Sequence, residues 1–156
     1  MEIERKFVIP TLPAQLERFP CSRIEQAYVA IDPVGTEVRI RRRAAETSLT
    51  IKDGRGRSRA EEELEIDGDR FARLWELSAG RRVEKTRYEI PATGGLTIEL
   101  DVYLGELEGL ATAEVEFASE DAAERFVPPS WFGREVTDDD AYKNRRLAVD
   151  GPPQDV

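Results

Sequence analysis

Histidine is absent from the 156 residues, and cysteine occurs once, at Cys21. The first absence excludes Ser-His-Asp and Cys-His nucleophile arrangements, imidazole acid/base chemistry and zinc sites that need a histidine ligand. The second excludes an internal disulfide framework and a multi-cysteine metal site, and it points to a reducing, cytoplasmic compartment. Cys21 has no adjacent basic cluster either, so it reads as structural or incidental. No stretch approaches the ~18 consecutive apolar residues of a membrane span, and the opening Met-Glu-Ile-Glu-Arg-Lys holds no apolar run for a signal peptide, so a soluble, unexported protein is expected. Positive charge is in short supply: 23 Lys and Arg stand against 32 Asp and Glu, a formal net charge of -9. That argues against broad binding to nucleic acid or to an anionic membrane, because both rest on a surplus of cations.

With 40% apolar and 35% charged residues, the chain has the composition of a folded protein. Its length suits one domain, expected over residues 1–150, with a frayed tail over 151–156. Most of it alternates with period two. Strands are predicted over 2–9, 23–31, 37–43, 48–52, 57–66, 83–90, 96–103 and 113–117. Asp53-Gly54-Arg55-Gly56 and Thr93-Gly94-Gly95 read as hairpin turns. Short helices are predicted over 69–79, with Phe71, Leu74, Trp75 and Leu77 largely on one face, over 119–126 behind the N-cap Ser119, and over about 139–149.

Strand side chains alternate between faces, so the parity of the charged residues can be read directly. Glu2, Glu4 and Lys6 oppose Ile3 and Phe7. Glu37, Arg39, Arg41 and Arg43 oppose Val38 and Ile40, and Thr50 and Lys52 oppose Leu49 and Ile51. Arg57, Arg59, Glu61 and Glu63 oppose Leu64 and Ile66. Later, Lys85 and Arg87 oppose Tyr88 and Ile90, Glu99 and Asp101 oppose Ile98 and Leu100, and Glu114 and Glu116 oppose Val115 and Phe117. One arrangement is an open antiparallel sheet whose charges face water. The other, favoured here, is a mainly β (α+β) closed barrel of eight antiparallel strands, with a charged lumen and an apolar outer face covered by a few helices. The charged faces hold little Ser, Thr or Gln, and like charges recur at i, i+2.

Basic residues crowded on such faces imply a polyanion among them, and arginine forks and lysine ammoniums are the usual phosphate partners. Carboxylates at Glu2, Glu4, Glu114 and Glu116 offer oxygen ligands alone, which suits a hard cation such as Mg²⁺ or Mn²⁺. These are the parts that phosphoryl transfer requires. No G-x-x-x-x-G-K-[ST] segment is present, so side chains rather than a P-loop must cradle phosphate.

The segment Glu2-Ile3-Glu4-Arg5-Lys6 resembles the E-x-E-x-K signature of the CYTH superfamily, the triphosphate tunnel metalloenzymes. The similarity continues in order through Gln26-Ala27-Tyr28, Glu37-Val38-Arg39-Ile40-Arg41, Thr50-Ile51-Lys52, Arg59-Ala60-Glu61-Glu62-Glu63, Glu84-Lys85-Thr86-Arg87-Tyr88, Glu99-Leu100-Asp101-Val102-Tyr103 and Glu114-Val115-Glu116-Phe117. It is greatest to the small single-domain bacterial members, whose C-terminal segment is matched by Tyr142-Lys143-Asn144. The resemblance implies an eight-stranded antiparallel tunnel that takes a small-molecule triphosphate with a divalent metal. Glu2, Glu4, Glu114 and Glu116 would be metal ligands, with Glu63 and Asp101 as contributors. Lys6, Arg39, Arg41, Lys52, Arg59, Lys85 and Arg87 would bind the triphosphate. In Glu61-Glu62-Glu63 the register is ambiguous on charge, and Leu64 and Ile66 assign Glu62 to the outer face.

The favoured activity is metal-dependent hydrolysis of inorganic triphosphate to diphosphate and phosphate, with nucleoside or thiamine triphosphates as further substrates. Without histidine the base must be a carboxylate, a lysine or a tyrosine. Cations nearby disfavour the ammonium form of a lysine, which makes Lys52, with Tyr28 as partner, the candidate catalytic pair. Tyr28 could instead be an aromatic packing outward, and Lys143 either faces the lumen or serves a helix end. The alternatives in function are a class IV-type adenylate cyclase and a non-catalytic polyphosphate or nucleotide sensor. A monomer or homodimer is expected.

Overall fold

The computed structural model describes residues 2–53 and 60–154. Its strands are β1 (Ile3–Val8), β2 (Cys21–Ile31), β3 (Glu37–Arg43), β4 (Glu46–Asp53), β5 (Ala60–Glu65), β6 (Arg82–Pro91), β7 (Thr97–Leu104) and β8 (Ala111–Phe117). The helices are α1 (Gly68–Glu76), α2 (Glu120–Arg125) and α3 (Asn144–Asp150). The strands form one eight-stranded sheet in the order β1-β8-β7-β6-β2-β3-β4-β5. The pairs β1–β8, β7–β8, β2–β3, β3–β4 and β4–β5 are antiparallel. No helix among the described residues is long and apolar enough to cross a membrane.

The eight antiparallel strands expected are present in one sheet, whose order has two ends, with no closing hydrogen bonds between β1 and β5 among the described residues. The outer edge of β1 is met by a different segment. There Gly133 N–H donates to Val8 O at 2.8 Å, Val8 N–H to Arg134 O at 2.9 Å and Val136 N–H to Lys6 O at 2.8 Å, while Lys6 N–H donates to Thr137 Oγ1. That edge is already engaged. A Cβ on Gly133 would lie 2.6 Å from Val8 O, so only glycine allows the approach. Arg5 reinforces it, with Nη2 and Nε on the Glu135 carboxylate at 2.7 and 3.0 Å and Nη1 on the carbonyls of Ala123 and Phe126.

The described residues fall into two compact units, one of residues up to Ser22 with Lys85–Asp140 and the other of Arg23–Glu84 with residues from Ala141 on. In the first, the apolar sides of β1, β7 and β8 pack as Phe7, Ile98, Leu100, Ala113, Val115 and Phe117, with α2 against β1 and β8. In the second, Ala27, Ile40 and Phe71 form the core, with Leu49, Leu74 and Trp75 around them and α1 against β3 and β4. Asp67 caps α1 by accepting from Arg70 N–H at 2.7 Å, and Phe71 stacks on Trp75.

Element boundaries differ modestly from expectation. The helix predicted over about 139–149 is broken, because Lys143 is extended between a 3-10 turn at Asp140–Tyr142 and α3. At Thr93–Gly95 the backbone turns with φ of 73° at Gly94 and 76° at Gly95, as the hairpin reading requires. The turn at 54–56 and the strand start at 57–59 lie outside the described residues.

Truncating Phe71, which is buried on α1 against Ala27 and Ile40, should destabilise the protein by about 3–5 kcal/mol. Urea unfolding of Phe71→Ala should show a lowered midpoint with an unchanged slope.

Candidate functional site

In the first unit the charged sides of β1, β8, β7 and β6 carry the acids. Register places Glu4 opposite Glu116, Lys6 opposite Glu114, and Glu99 opposite Glu114. Like charges directly opposite one another are unfavourable. Lys6, itself buried, offsets this in part, with Nζ 3.6 Å from a Glu114 oxygen. Burial, then repulsion from Glu114 and Glu2, push the Glu4 carboxyl up to about 7, with Lys6 opposing and Glu116 adding to the rise. Glu2 lies exposed ahead of the strand. Among the described residues no three carboxylates converge closely enough to form a preformed metal cage. The donor set still fits a hard divalent ion: all its atoms are oxygens, and Glu4 is repelled by Glu2, Glu114 and Glu116 together.

Deeper on the same face, Asp101 is 3% exposed and Lys85 is wholly buried. Lys85 Nζ lies 2.8 Å from Asp101 Oδ2, and Arg87 donates Nε to Oδ1 at 2.8 Å and Nη2 to Oδ2 at 2.9 Å. Arg87 Nη1 also donates to Glu99 at 3.2 Å. Burial alone would raise the Asp101 carboxyl. The Lys85 charge and the Arg87 hydrogen bonds outweigh it and hold Asp101 well below the usual carboxylate range. Lys85 also sits 5.5 Å from the Tyr103 ring centroid. Burial, followed by the Asp101 charge, pushes the Tyr103 hydroxyl well above its ordinary value.

In the second unit β2, β3, β4 and β5 carry the complementary set. Tyr28 is opposite Arg39 and Gln26 opposite Arg41. Arg39 is also opposite Thr50, Arg41 opposite Ser48, and Glu37 opposite Lys52. Lys52 in turn faces Glu61, and Thr50 faces Glu63. Gln26 links the strands: its Oε1 accepts from Arg41 Nε at 3.1 Å, and its Nε2 donates to Tyr28 OH at 3.4 Å. A bulge between Tyr28 and Ala30 lets β2 change parity after Tyr28 has been aimed at Arg39. Burial raises the Tyr28 hydroxyl, the Arg39 charge works against it, and Glu37 adds to the rise.

The structure therefore sets Tyr28 on the charged face rather than outward, and it sets Glu62 opposite Ile51 on the other face. Arg42 points away from Arg41: its guanidinium lies 4.5 Å from the Phe71 ring centroid. Arg59 and Arg57 lie outside the described residues. Asp101, expected among the metal-binding carboxylates, pairs with Lys85 and Arg87. Three residues of these faces were missed by charge parity: Tyr103, Thr112 and Gln26. Each sits two residues from a charged member of its strand or opposite one, so the same parity applied to polar groups would have found them. Lys143 lines a cavity of about 960 Å³ with Arg81, Arg145 and Glu37, where Arg145 Nη1 lies 3.9 Å from Glu37.

No family model matches the chain. It is 46% identical over 152 residues to the inorganic triphosphatase of Nitrosomonas europaea, covering 97% of this chain and 99% of that one. It is 38% identical over 148 residues to the inorganic triphosphatase of Acetivibrio thermocellus, covering 94% and 92%. Among solved structures, the crystal structure of an inorganic triphosphatase is similar with a TM-score of 0.82 at 42% identity, over 98% of this chain and 97% of that one. An adenylyl cyclase candidate from Hippeastrum with a dominant triphosphatase activity shares the fold, with a TM-score of 0.56 at 20% identity over 80% and 83%.

The raised Glu4 carboxyl gives a pH-dependent stability cost. Folding disfavours its ionised form, so the cost is absent below the ordinary value near 4.5, grows as pH rises towards about 7 and is complete above that. In chelator, Glu4→Gln should melt higher than the parent at pH 8, and the difference should vanish by pH 4.

Proposed function

We infer that this chain, which belongs to the inorganic triphosphatase family, hydrolyses inorganic triphosphate to diphosphate and phosphate. The observation that carries the reading is 46% identity to such an enzyme across 97% of the chain. The charged sheet faces supply its chemistry. The resemblance to the CYTH superfamily refines it, with a closed tunnel as the finer form of the fold. Support for that form is the burial of Lys85, Asp101, Thr50 and Gln26 on faces that an open sheet would expose to water.

In this reading Glu2, Glu4, Glu114 and Glu116 hold Mg²⁺ or Mn²⁺, with Glu63 as a further oxygen donor. A divalent ion so held supplies Lewis-acid polarisation of phosphoryl oxygens. Lys6, Arg39, Arg41, Arg59, Lys85 and Arg87 bind and orient the triphosphate. Lys52 is the proposed acceptor of the attacking water's proton, against the pull of Glu37 and Glu61 across the sheet towards its ammonium form, and Tyr28 on the same face orients the water. The P–O bond to the terminal phosphorus breaks as the water oxygen bonds to it, and diphosphate leaves. Arg39 and Arg41 suit charge stabilisation because their cross-strand partners, Tyr28, Thr50, Gln26 and Ser48, are neutral. The substrate is a small molecule, and the overall acidity disfavours nucleic acid as a partner.

Phosphate release should be fastest from inorganic triphosphate, slower from ATP and thiamine triphosphate, and abolished by chelator. Release undiminished in chelator, or fastest from ATP, overturns the reading. Triphosphate should also raise the melting temperature more than diphosphate, and diphosphate more than monophosphate. Arg41→Ala should weaken triphosphate binding by about tenfold or more, the worth of a charged hydrogen bond. Arg42→Ala should lower the melting temperature through its lost ring contact yet keep the ligand-induced shift.

A further inference from the structure

We propose that Asp101 is a positioning residue for phosphate binding, whose carboxylate fixes the Lys85 ammonium and the Arg87 guanidinium instead of ligating a divalent ion. The inference rests on the triphosphatase reading and departs from the metal-binding role that the family resemblance implies for Asp101. Its ground is geometric. Both carboxylate oxygens are engaged: Oδ2 by Lys85 Nζ at 2.8 Å and Arg87 Nη2 at 2.9 Å, Oδ1 by Arg87 Nε at 2.8 Å. A divalent ion at Asp101 would have to displace one of these cations or sit beside both. The carboxylates of Glu4 and Glu116, directly opposed in register, present the contrary environment, in which negative charge is in excess.

The arrangement also suits substrate binding. A guanidinium carries five N–H groups, and Asp101 and Glu99 together engage three of those on Arg87, leaving two for phosphoryl oxygens. Two carboxylates against two cations leave the cluster close to neutral, so what it offers an anion is a set of oriented N–H donors. The donors are thus held in place before the substrate arrives, so less ordering is required on binding. Tyr103, against whose ring face Lys85 lies, restricts the ammonium on its other side.

The test uses Asp101→Asn and Asp101→Glu in the full chain, with three readouts: KM for inorganic triphosphate, triphosphate binding by calorimetry in excess chelator, and the Mg²⁺ concentration for half-maximal rate. Asp101→Asn should raise KM and weaken metal-free triphosphate binding by about tenfold or more, as loss of charge-assisted hydrogen bonds implies. The Mg²⁺ requirement should stay within about twofold of the parent's. Asp101→Glu keeps the counter-charge that the buried cations need to fold, and its longer arm should give a smaller loss of the same kind. A raised Mg²⁺ requirement with unchanged triphosphate binding overturns the proposal in favour of a metal ligand. Unchanged binding and Mg²⁺ requirement in folded variants overturns it as well. A parent that releases no phosphate overturns the triphosphatase reading itself, whereas an active parent with unaffected variants overturns this inference alone.

Discussion

Asp101 answers two buried cations at once, and the rest of the charged face is ordered around that kind of demand. A charge taken out of water must meet an opposite charge, a set of hydrogen bonds or a ligand. Lys85 and Arg87 meet the first two inside the protein. Arg39 and Arg41 are treated differently, since their strand neighbours are neutral side chains and Gln26 offers a single amide oxygen to Arg41. The two sets are thus held by different kinds of partner.

The apolar side of the sheet is what makes such a face affordable. Phe7, Leu100, Val115 and Phe117 in one unit, and Ile40 and Phe71 in the other, bury side chains whose transfer from water is worth about 1.5–3 kcal/mol each. Against this stand direct costs such as Glu4 facing Glu116 across β1 and β8. A sequence under selection for stability alone would place a lysine or a threonine at one of those positions. The pair of acids makes sense as a site for a cation, which is why a locally unfavourable register is informative about function.

Much of this was legible in the sequence because a strand's period of two couples each charged residue to a face without any knowledge of the fold. The alternation Glu37-Val38-Arg39-Ile40-Arg41 is enough to separate Arg41, which reaches Gln26, from Arg42, which reaches the Phe71 ring. The ambiguous Glu61-Glu62-Glu63 was resolved correctly by Leu64 and Ile66, as the pairing of Glu62 with Ile51 shows. Parity says nothing about which strands become neighbours, however. Whether Asp101 meets a cation or another acid depends on the β6 residues beside it, and no local pattern encodes that.

The segment along the outer edge of β1 was illegible for a related reason. The stretch around Gly133 to Thr137 is short, holds a glycine and charged residues, and shows no sustained alternation, so it carries no strand signal of its own. Its hydrogen bonds to β1 come from backbone groups, which every residue has, and its fit depends on the missing side chain of Gly133. Once there, it satisfies the outward backbone groups of Lys6 and Val8. Lys6, whose backbone this segment engages on one side, is paired with Glu114 of β8 on the other, so the segment steadies that part of the charged face.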